Sequence, residues 1–452
     1  MKSLVVAVLM LAAATTQAAN VCVIDSGTDI LHKDLLNNLW INSNEIPSND
    51  RDEDRNGYQD DVYGWNFAES NNLVIDHKYR GTLTFDIRRF FAIQKLMMEG
   101  TANDEDVAWL RGRVGDQEFL KSLQIYGNFM HGTHVTGIAV KGNPDARAIA
   151  VKLIPTEVKL PFLVREAKKL NQKGLGVTLA KMALGALAKQ QLKLMVEIGQ
   201  YCNDHGAKVA NGSFGTGYPQ AKMIASAILK ITVKEPTEAE VEEVTKHFID
   251  TLVTEGLHFV NAAKRTLFVF AAGNDGLNND KFGTFPTNIS ADNVISVAAS
   301  IKPGQLSSFS NFGKTNVDVA APGVGINSTV PDNNYLEVSG TSQAAPYVAN
   351  IANRVVGVNS DLLPVQVKQI IMKTVDSRRG YSANLVTGGD VNMARAVRAA
   401  ELTLKMNISE AIAESHRLIK DDYKEDESSR RKSQSGPNGY VLPLPSVFAE
   451  LR

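Results

Sequence analysis

Only two cysteines, Cys22 and Cys202, occur in the 452 residues. Two cannot form the dense cross-links of a small secreted scaffold. Two readings stay open for them: one bridge formed after export, or two thiols buried as small apolar groups. Neither sign of charge is in excess. The 48 basic and 49 acidic residues leave a net charge of −1. That excludes a grip on nucleic acid resting on phosphate neutralisation, and it excludes an acidic disordered chain. Beyond the N-terminus no apolar run reaches the length of a membrane span, so no integral span is expected. There is no internal repeat. No glycine-rich phosphate loop follows the first strand candidate, where Asp25-Ser26-Gly27-Thr28 stands instead. This counts against a nucleotide-binding doubly wound protein.

What is present is enough apolar material, 44% of the chain, to fill a large core. Residues 1–19 read as a signal peptide: Lys2 gives a positive start, Leu4 to Ala14 an apolar stretch, and small residues run through Ala18 and Ala19. A secreted or periplasmic location follows from that reading. Cleavage there leaves about six residues before Asp25, the spacing read from the sequence.

Short β-rich runs alternate with longer helical patterns. Val21–Ile24, Ala148–Leu153, Lys208–Ala210, Leu267–Ala271, Val294–Ala298 and Val317–Ala320 are strand candidates. Several are continuously apolar, as strands buried on both faces are. Val241, Val244, Phe248 and Leu252 step at helical spacing, and Leu163–Lys169 and Leu179–Ile198 are rich in helix formers. The alternation predicts an α/β fold, a mostly parallel sheet with helices on both faces. Ligands bind such sheets at the carboxyl ends of the strands. The polar groups after the candidate strands are Asp25-Ser26-Gly27, Asn211-Gly212-Ser213 and Gly273-Asn274-Asp275. One domain is expected over 20–405, with additions at 70–128 and 155–205. Residues 406–452 read as a terminal helix and a flexible tail, the stretch Asp421–Gly436 being densely charged and aperiodic.

Three segments carry candidate chemistry. His131-Gly132-Thr133-His134 offers a base, a metal ligand or a packed histidine. In Gly340-Thr341-Ser342-Gln343-Ala344-Ala345-Pro346 the strand Tyr335–Val338 runs in and the helix Gln343–Val356 runs out. Pro346 is therefore expected in the first turn of that helix. Ser342 then sits at a strand-to-helix turn, as a cap or a nucleophile. Asp25 closes the strand Val21–Ile24. Taken together, these segments resemble the Asp, His and Ser blocks of the subtilase family, in that family's chain order. Phe268-Val269-Phe270-Ala271-Ala272-Gly273-Asn274 resembles the segment bearing its oxyanion Asn. Asn211–Gly215 and Leu306–Gly323 match in order too. The likeness covers roughly residues 20–66 and 128–400.

The resemblance implies a subtilisin-like three-layer fold with helical insertions and a secreted serine endopeptidase. In it, His131 would take the proton of Ser342, Asp25 would orient His131, and Asn274 would donate to the oxyanion. His134 is then read as helix packing. A peptide or protein substrate would pair as an added strand with backbone at Ser213, Phe214, Gly215, Ala271 and Gly273. Phe214 either narrows a pocket or packs. No cofactor is needed for that chemistry. Asp52, Asp54, Asn56, Tyr58, Asp60 and Asp61 resemble the ligands of a calcium loop, with Gly57 at its turn. A structural Ca²⁺ and a solvated acidic turn both remain open there. The chain also departs from the family's pattern. Gln343 and Tyr347 replace the usual Met and His, Asn350 replaces a Gly, and 106 residues separate Asp25 from His131. With no room for a propeptide between the signal and Asp25, two expectations stay open: folding without a covalent N-terminal chaperone, or a natural start that precedes Met1. An inhibitor or separate pro-piece is the partner such a reading allows. A catalytically silent binding protein of the same fold is the alternative.

Overall fold

The computed structural model describes residues 19–157, 176–421 and 440–447. The expected signal segment lies outside these, apart from Ala19. So do Leu163–Lys169 and, apart from Asp421, the charged stretch Asp421–Gly436. In chain order the elements are β1 (Ala19–Asp25), β2 (Gly64–Asn66), α1 (Phe85–Glu99), α2 (Asp104–Val114), α3 (Gln117–Val140), β3 (Ala146–Lys152), α4 (Gly176–Asp204), β4 (Ala207–Gly212), α5 (Tyr218–Thr232), α6 (Glu238–Ala262), β5 (Leu267–Ala271), β6 (Val294–Lys302), β7 (Gln305–Leu306), β8 (Val319–Pro322), β9 (Ile326–Val330), β10 (Asn334–Val338), α7 (Thr341–Val358), α8 (Pro364–Lys373), β11 (Asp376–Ser377), β12 (Gly389–Asp390), α9 (Met393–Thr403) and α10 (Ile408–Leu418). Among the described residues no helix is long and apolar enough to cross a membrane.

The main sheet runs β11-β12-β8-β6-β5-β4-β1-β3-β2, with β7 on β6. It is parallel from β2 through β12 along this path. β1 is followed by β3 on one side and β4 on the other, which opens a crevice at the carboxyl end of β1. The apolar runs explain the burial. Val21 and Val23 enter one core layer, with α7 and α3 residues such as Val348 and Val135. Cys22 and Ile24 enter the other, with Leu184, Leu192 and Ile198 of α4 and Phe248 of α6. This alternation is the two-residue period of a strand covered on both faces.

Local signals set the helix ends. Thr237 caps α6: Glu240 N–H donates to Thr237 Oγ1 at 3.3 Å, and Thr237 N–H donates to Glu240 Oε2 at 2.8 Å. Asn350, in place of a small residue, ties α7 to the end of α3. Its Nδ2 donates to the carbonyls of Ile138 and Lys141 at 2.9 and 3.0 Å, where α3 runs out of partners within the helix. Cys22 and Cys202 form a disulfide between β1 and α4, with Cα atoms 5.8 Å apart. The open choice between bridge and thiols is thus settled for the bridge.

The addition at 70–128 has a core of its own. Phe90, Phe91, Ile93, Leu110, Phe119 and Leu123 pack together and seal against Leu336 and Val338 of the β9–β10 hairpin. Its boundary is not a break in the chain's course. α3 starts inside the addition and runs unbroken through His131 to Val140.

Candidate active site

Asp25 ends β1 and is 1% exposed. Its Oδ1 accepts the Ser26 N–H and the His131 Nδ1–H, each at 2.7 Å. Its Oδ2 is buried without a hydrogen-bond partner among the described residues. His131 reaches it from the second half of α3. The close approach depends on Gly132, where a Cβ would fall 2.2 Å from the carbonyl oxygen of Gly27. Gly132 N–H also donates to Ser26 Oγ at 3.1 Å.

His134, one turn further on, is fully buried. Its Nε2–H donates to the carbonyls of Ile326 and Leu336, both at 3.1 Å. Burial pushes its pKa down to about 3, so the ring is neutral at ordinary pH. It joins α3 to the β9–β10 hairpin.

Ser342 is the second residue of α7. Its hydroxyl donates to the Ser213 carbonyl at 3.2 Å, and Ser213 Oγ returns a bond to the Ser342 carbonyl at 3.0 Å. Pro346 explains why that carbonyl is free. Contrary to the sequence expectation, Pro346 lies beyond the first turn: α7 begins at Thr341. The ring therefore removes the N–H that would have bonded Ser342, four residues earlier. The hydroxyl of Ser213 takes its place, and packing tolerates the rest.

Asn274 follows Gly273, whose φ of +117° lies in a region closed to most side chains. The Asn274 Oδ1 accepts from Thr341 N–H and Thr341 Oγ1 at 2.9 and 2.8 Å. This orients the amide so that Nδ2 points outward, where it donates to the Leu442 carbonyl at 2.9 Å. Asp275 beside it is pushed up to about 6 by burial, which Asn311 partly offsets.

His131, Asn274 and Ser342 border one cavity, with Phe91, Gln94 and Met130 on its far wall and Leu442 and Pro443 across it. About 20 Å³ stays open, room for roughly one water. The far wall comes from α1 and α3, and Leu442 belongs to what sequence reading took for tail. A signal for that segment was present. The alternation Leu442-Pro443-Leu444-Pro445 is apolar and biased to extended backbone, unlike the charged stretch before it.

Of the expected peptide-binding positions, Gly215 N–H donates to the Pro445 carbonyl at 2.9 Å. Ser213 is occupied with Ser342. Phe214 packs in the core, edge-on to Phe270. Of its two readings, the structure favours packing. Ala271 gives its carbonyl to Thr287 Oγ1 at 2.6 Å. Gly273 N–H donates to Thr341 Oγ1 at 3.1 Å.

In the acidic loop, carboxylate oxygens of Asp52 and Asp54 gather with one of Glu45, all within 4.8 Å of each other. Glu45 was not among the sequence candidates, because it lies outside the loop's own spacing. Asp60 accepts the N–H groups of Asn49 and Asp50 at 3.2 and 3.0 Å. Asp61 accepts from Tyr201 Oη and Asn42 Nδ2 at 2.7 and 2.8 Å. Asn56 donates its N–H to both Asp52 and Asp54, and Tyr58 lays its ring against Trp65, Phe67 and Tyr201. Three hard carboxylates, with no basic side chain among their described ion-pair partners, suit a divalent cation of the calcium type.

A parallel sheet with its switch point at β1, covered by helices and carrying this cluster at the carboxyl ends of its strands, is a subtilisin-like α/β architecture. The Subtilase family model matches residues 16–395, and the chain belongs to that family. Subtilisin-like protease 1 of Plasmodium berghei is 25% identical over 402 residues, covering 86% of this chain and 51% of that protein. The cell wall-associated protease of Bacillus subtilis is 27% identical over 368 residues, covering 74% and 34%. The chain thus spans about half, or less, of the length of these relatives. A cold adapted subtilisin-like serine proteinase of known crystal structure is 16% identical, with a TM-score of 0.42, the match covering 82% of this chain and 89% of that one.

Proposed function

We propose that this protein is an exported serine endopeptidase that hydrolyses peptide bonds with Ser342, His131, Asp25 and Asn274. One observation carries the reading: the 2.7 Å bond from His131 Nδ1 to Asp25 Oδ1, at a cavity that Ser342 and Asn274 share. The bond fixes the ring so that Nε2 is the free base, and the buried carboxylate favours the imidazolium once it forms. The Ser342 hydroxyl turns from the Ser213 carbonyl to Nε2, loses its proton there and attacks the substrate carbonyl. The oxyanion is met by Asn274 Nδ2 and by the Ser342 N–H at the start of α7. His131 then protonates the departing amine.

The names of the two relatives given above, a subtilisin-like protease and a cell wall-associated protease, support the same activity. The Cys22–Cys202 bridge supports an oxidising location such as the periplasm or the exterior. Glu45, Asp52 and Asp54 would hold a Ca²⁺ that braces the loop before β2 and takes no part in the chemistry. The deciding experiment compares the full chain with Ser342→Ala on casein, alongside fluorophosphonate labelling. Digestion and labelling are both expected to vanish in the variant, a rate loss on the order of 10⁶, the size recorded for the nucleophile of subtilisin. Equal digestion by the two proteins removes the reading.

A further inference from the structure

Residues 440–447, Tyr-Val-Leu-Pro-Leu-Pro-Ser-Val, lie along the cleft as a ligand would. The Gln94 Nε2 of α1 donates to the Tyr440 carbonyl at 2.6 Å. Asn274 Nδ2 donates to the Leu442 carbonyl at 2.9 Å. Gln220 Nε2 of α5 donates to the Leu444 carbonyl at 3.1 Å, and Gly215 N–H to that of Pro445 at 2.9 Å. Thr216 and Ser446 share a hydroxyl bond of 3.0 Å. Successive contacts thus come from both sides of the site, and four of them go to main-chain carbonyls. That is how an extended peptide is gripped without reading its sequence.

Two leucines supply the anchorage. Leu444 is 3% exposed, and a Cβ on Gly215 would come within 3.0 Å of its Cδ1. Leu442 covers Gly127 of α3, where a Cβ would come within 3.1 Å of its Cδ1. Both glycines therefore leave room for a leucine. Gln94 is 1% exposed, and its carbonyl oxygen has no partner among the described residues. A buried amide spent on the Tyr440 carbonyl makes α1 part of the binding wall.

Resting on the peptidase reading, we infer that the cleft is a site for extended peptides with leucine-like side chains two residues apart, and that segment 440–447 is its resident occupant. Incoming peptide must displace it. Eighteen residues, 422–439, join the segment to Asp421, so it competes for the cleft as part of the same chain. One feature makes the segment a competitor and not a substrate. The bond after the carbonyl held by Asn274 is Leu442–Pro443, whose nitrogen lies in a ring and carries no hydrogen. The far wall, Phe91 and Gln94, gives the addition at 70–128 its part in this: it roofs the groove in which the segment lies.

The test uses the full chain, Leu442→Ala, and Leu442→Ala with Leu444→Ala, and adds the free octapeptide 440–447 carrying a fluorophore. The octapeptide is expected to bind the double variant, with or without Ser342→Ala, and to bind the unaltered chain at least about tenfold more weakly, since affinity falls with the fraction of open cleft. On a short leucine-containing reporter peptide the variants are expected to gain about tenfold or more in kcat/KM, and the octapeptide to reverse the gain competitively. No binding to the double variant, in protein whose melting curve shows it folded, overturns the inference. Leu442→Ala, whose side chain is only partly buried, serves where the double variant does not fold. Equal kcat/KM in all forms while Ser342 still labels also overturns it, and so does recovery of the unaltered chain cut after Leu442. Absence of both labelling and hydrolysis in every form would count against the peptidase reading alone. Octapeptide binding would still decide the inference.

Discussion

Ser213 and Ser342 hold one another by two hydrogen bonds, hydroxyl to carbonyl in each direction, at 3.0 and 3.2 Å. The link fastens the loop after β4 to the first turn of α7. It exists because Pro346 leaves a helix carbonyl unclaimed.

Ser213→Ala is therefore expected to cost about 1–3 kcal/mol, the penalty for stranding a buried carbonyl. Pro346→Ala restores an N–H to that carbonyl, so the cost of Ser213→Ala should shrink by about 1 kcal/mol in its presence. Urea unfolding of the four proteins, each carrying Ser342→Ala to suppress self-digestion, measures the cycle. An additive result would break the account of Pro346.

The Cys22–Cys202 bridge spans 180 residues and fastens the strand that ends in Asp25 to α4. Replacing both cysteines with Ala is expected to lower unfolding free energy by about 2–4 kcal/mol. Reduction of the unaltered protein should give the same shift in denaturation midpoint, and should give none in the double variant.

Calcium is expected to raise the melting temperature, and a chelator to lower it. Glu45→Gln should weaken the response as strongly as Asp52→Asn, because both supply an oxygen to the same cluster. A full response in Glu45→Gln would place the ion elsewhere.

Acid stability is governed in part by His134. Its folded pKa, about 3, lies below the unfolded value of 6.5. The unfolded chain therefore binds the extra proton first as pH falls, and stability is lost from about pH 6.5 down toward pH 3. His134→Gln keeps a donor for the Ile326 and Leu336 carbonyls and does not titrate. Its unfolding free energy, measured against the parent across that range, should fall less steeply, by several kcal/mol in total.

Much of the framework was legible because it depends on local pattern. Val21–Ile24 and Leu267–Ala271 are apolar without interruption and too short for a helix, which suits a strand covered on both faces. Asp25, His131, Asn274 and Ser342 stand out as candidates because each sits in a distinctive short segment, and their order along the chain limits the choice. The addition at 70–128 carries Phe90, Ile93 and Met97 at helical spacing, but that pattern says nothing of its use. What Phe91 and Gln94 face depends on a partner some 350 positions away, and no periodicity records that. Glu45 escapes the pattern for a nearer reason: it precedes the acidic loop and falls outside that loop's spacing. The position of Pro346 was misjudged because the rule that keeps proline in a first turn concerns an isolated helix. Here another segment supplied the missing hydrogen bond. Leu442–Pro445 is hard to place from sequence because it follows a long charged, aperiodic stretch and is too short to show a period of its own.

α3 is one helix of 24 residues, about 36 Å from end to end, and His131 stands past its midpoint. A rod of that kind transmits displacement with little loss. Slackening Phe119 or Leu123 in the outer bundle would tilt the imidazole against Asp25 without touching either. In the proposed peptidase, damage there would register as slow turnover while the groove still took peptide. On the proposed mechanism, the accessory helices would aim the base as well as roof the groove.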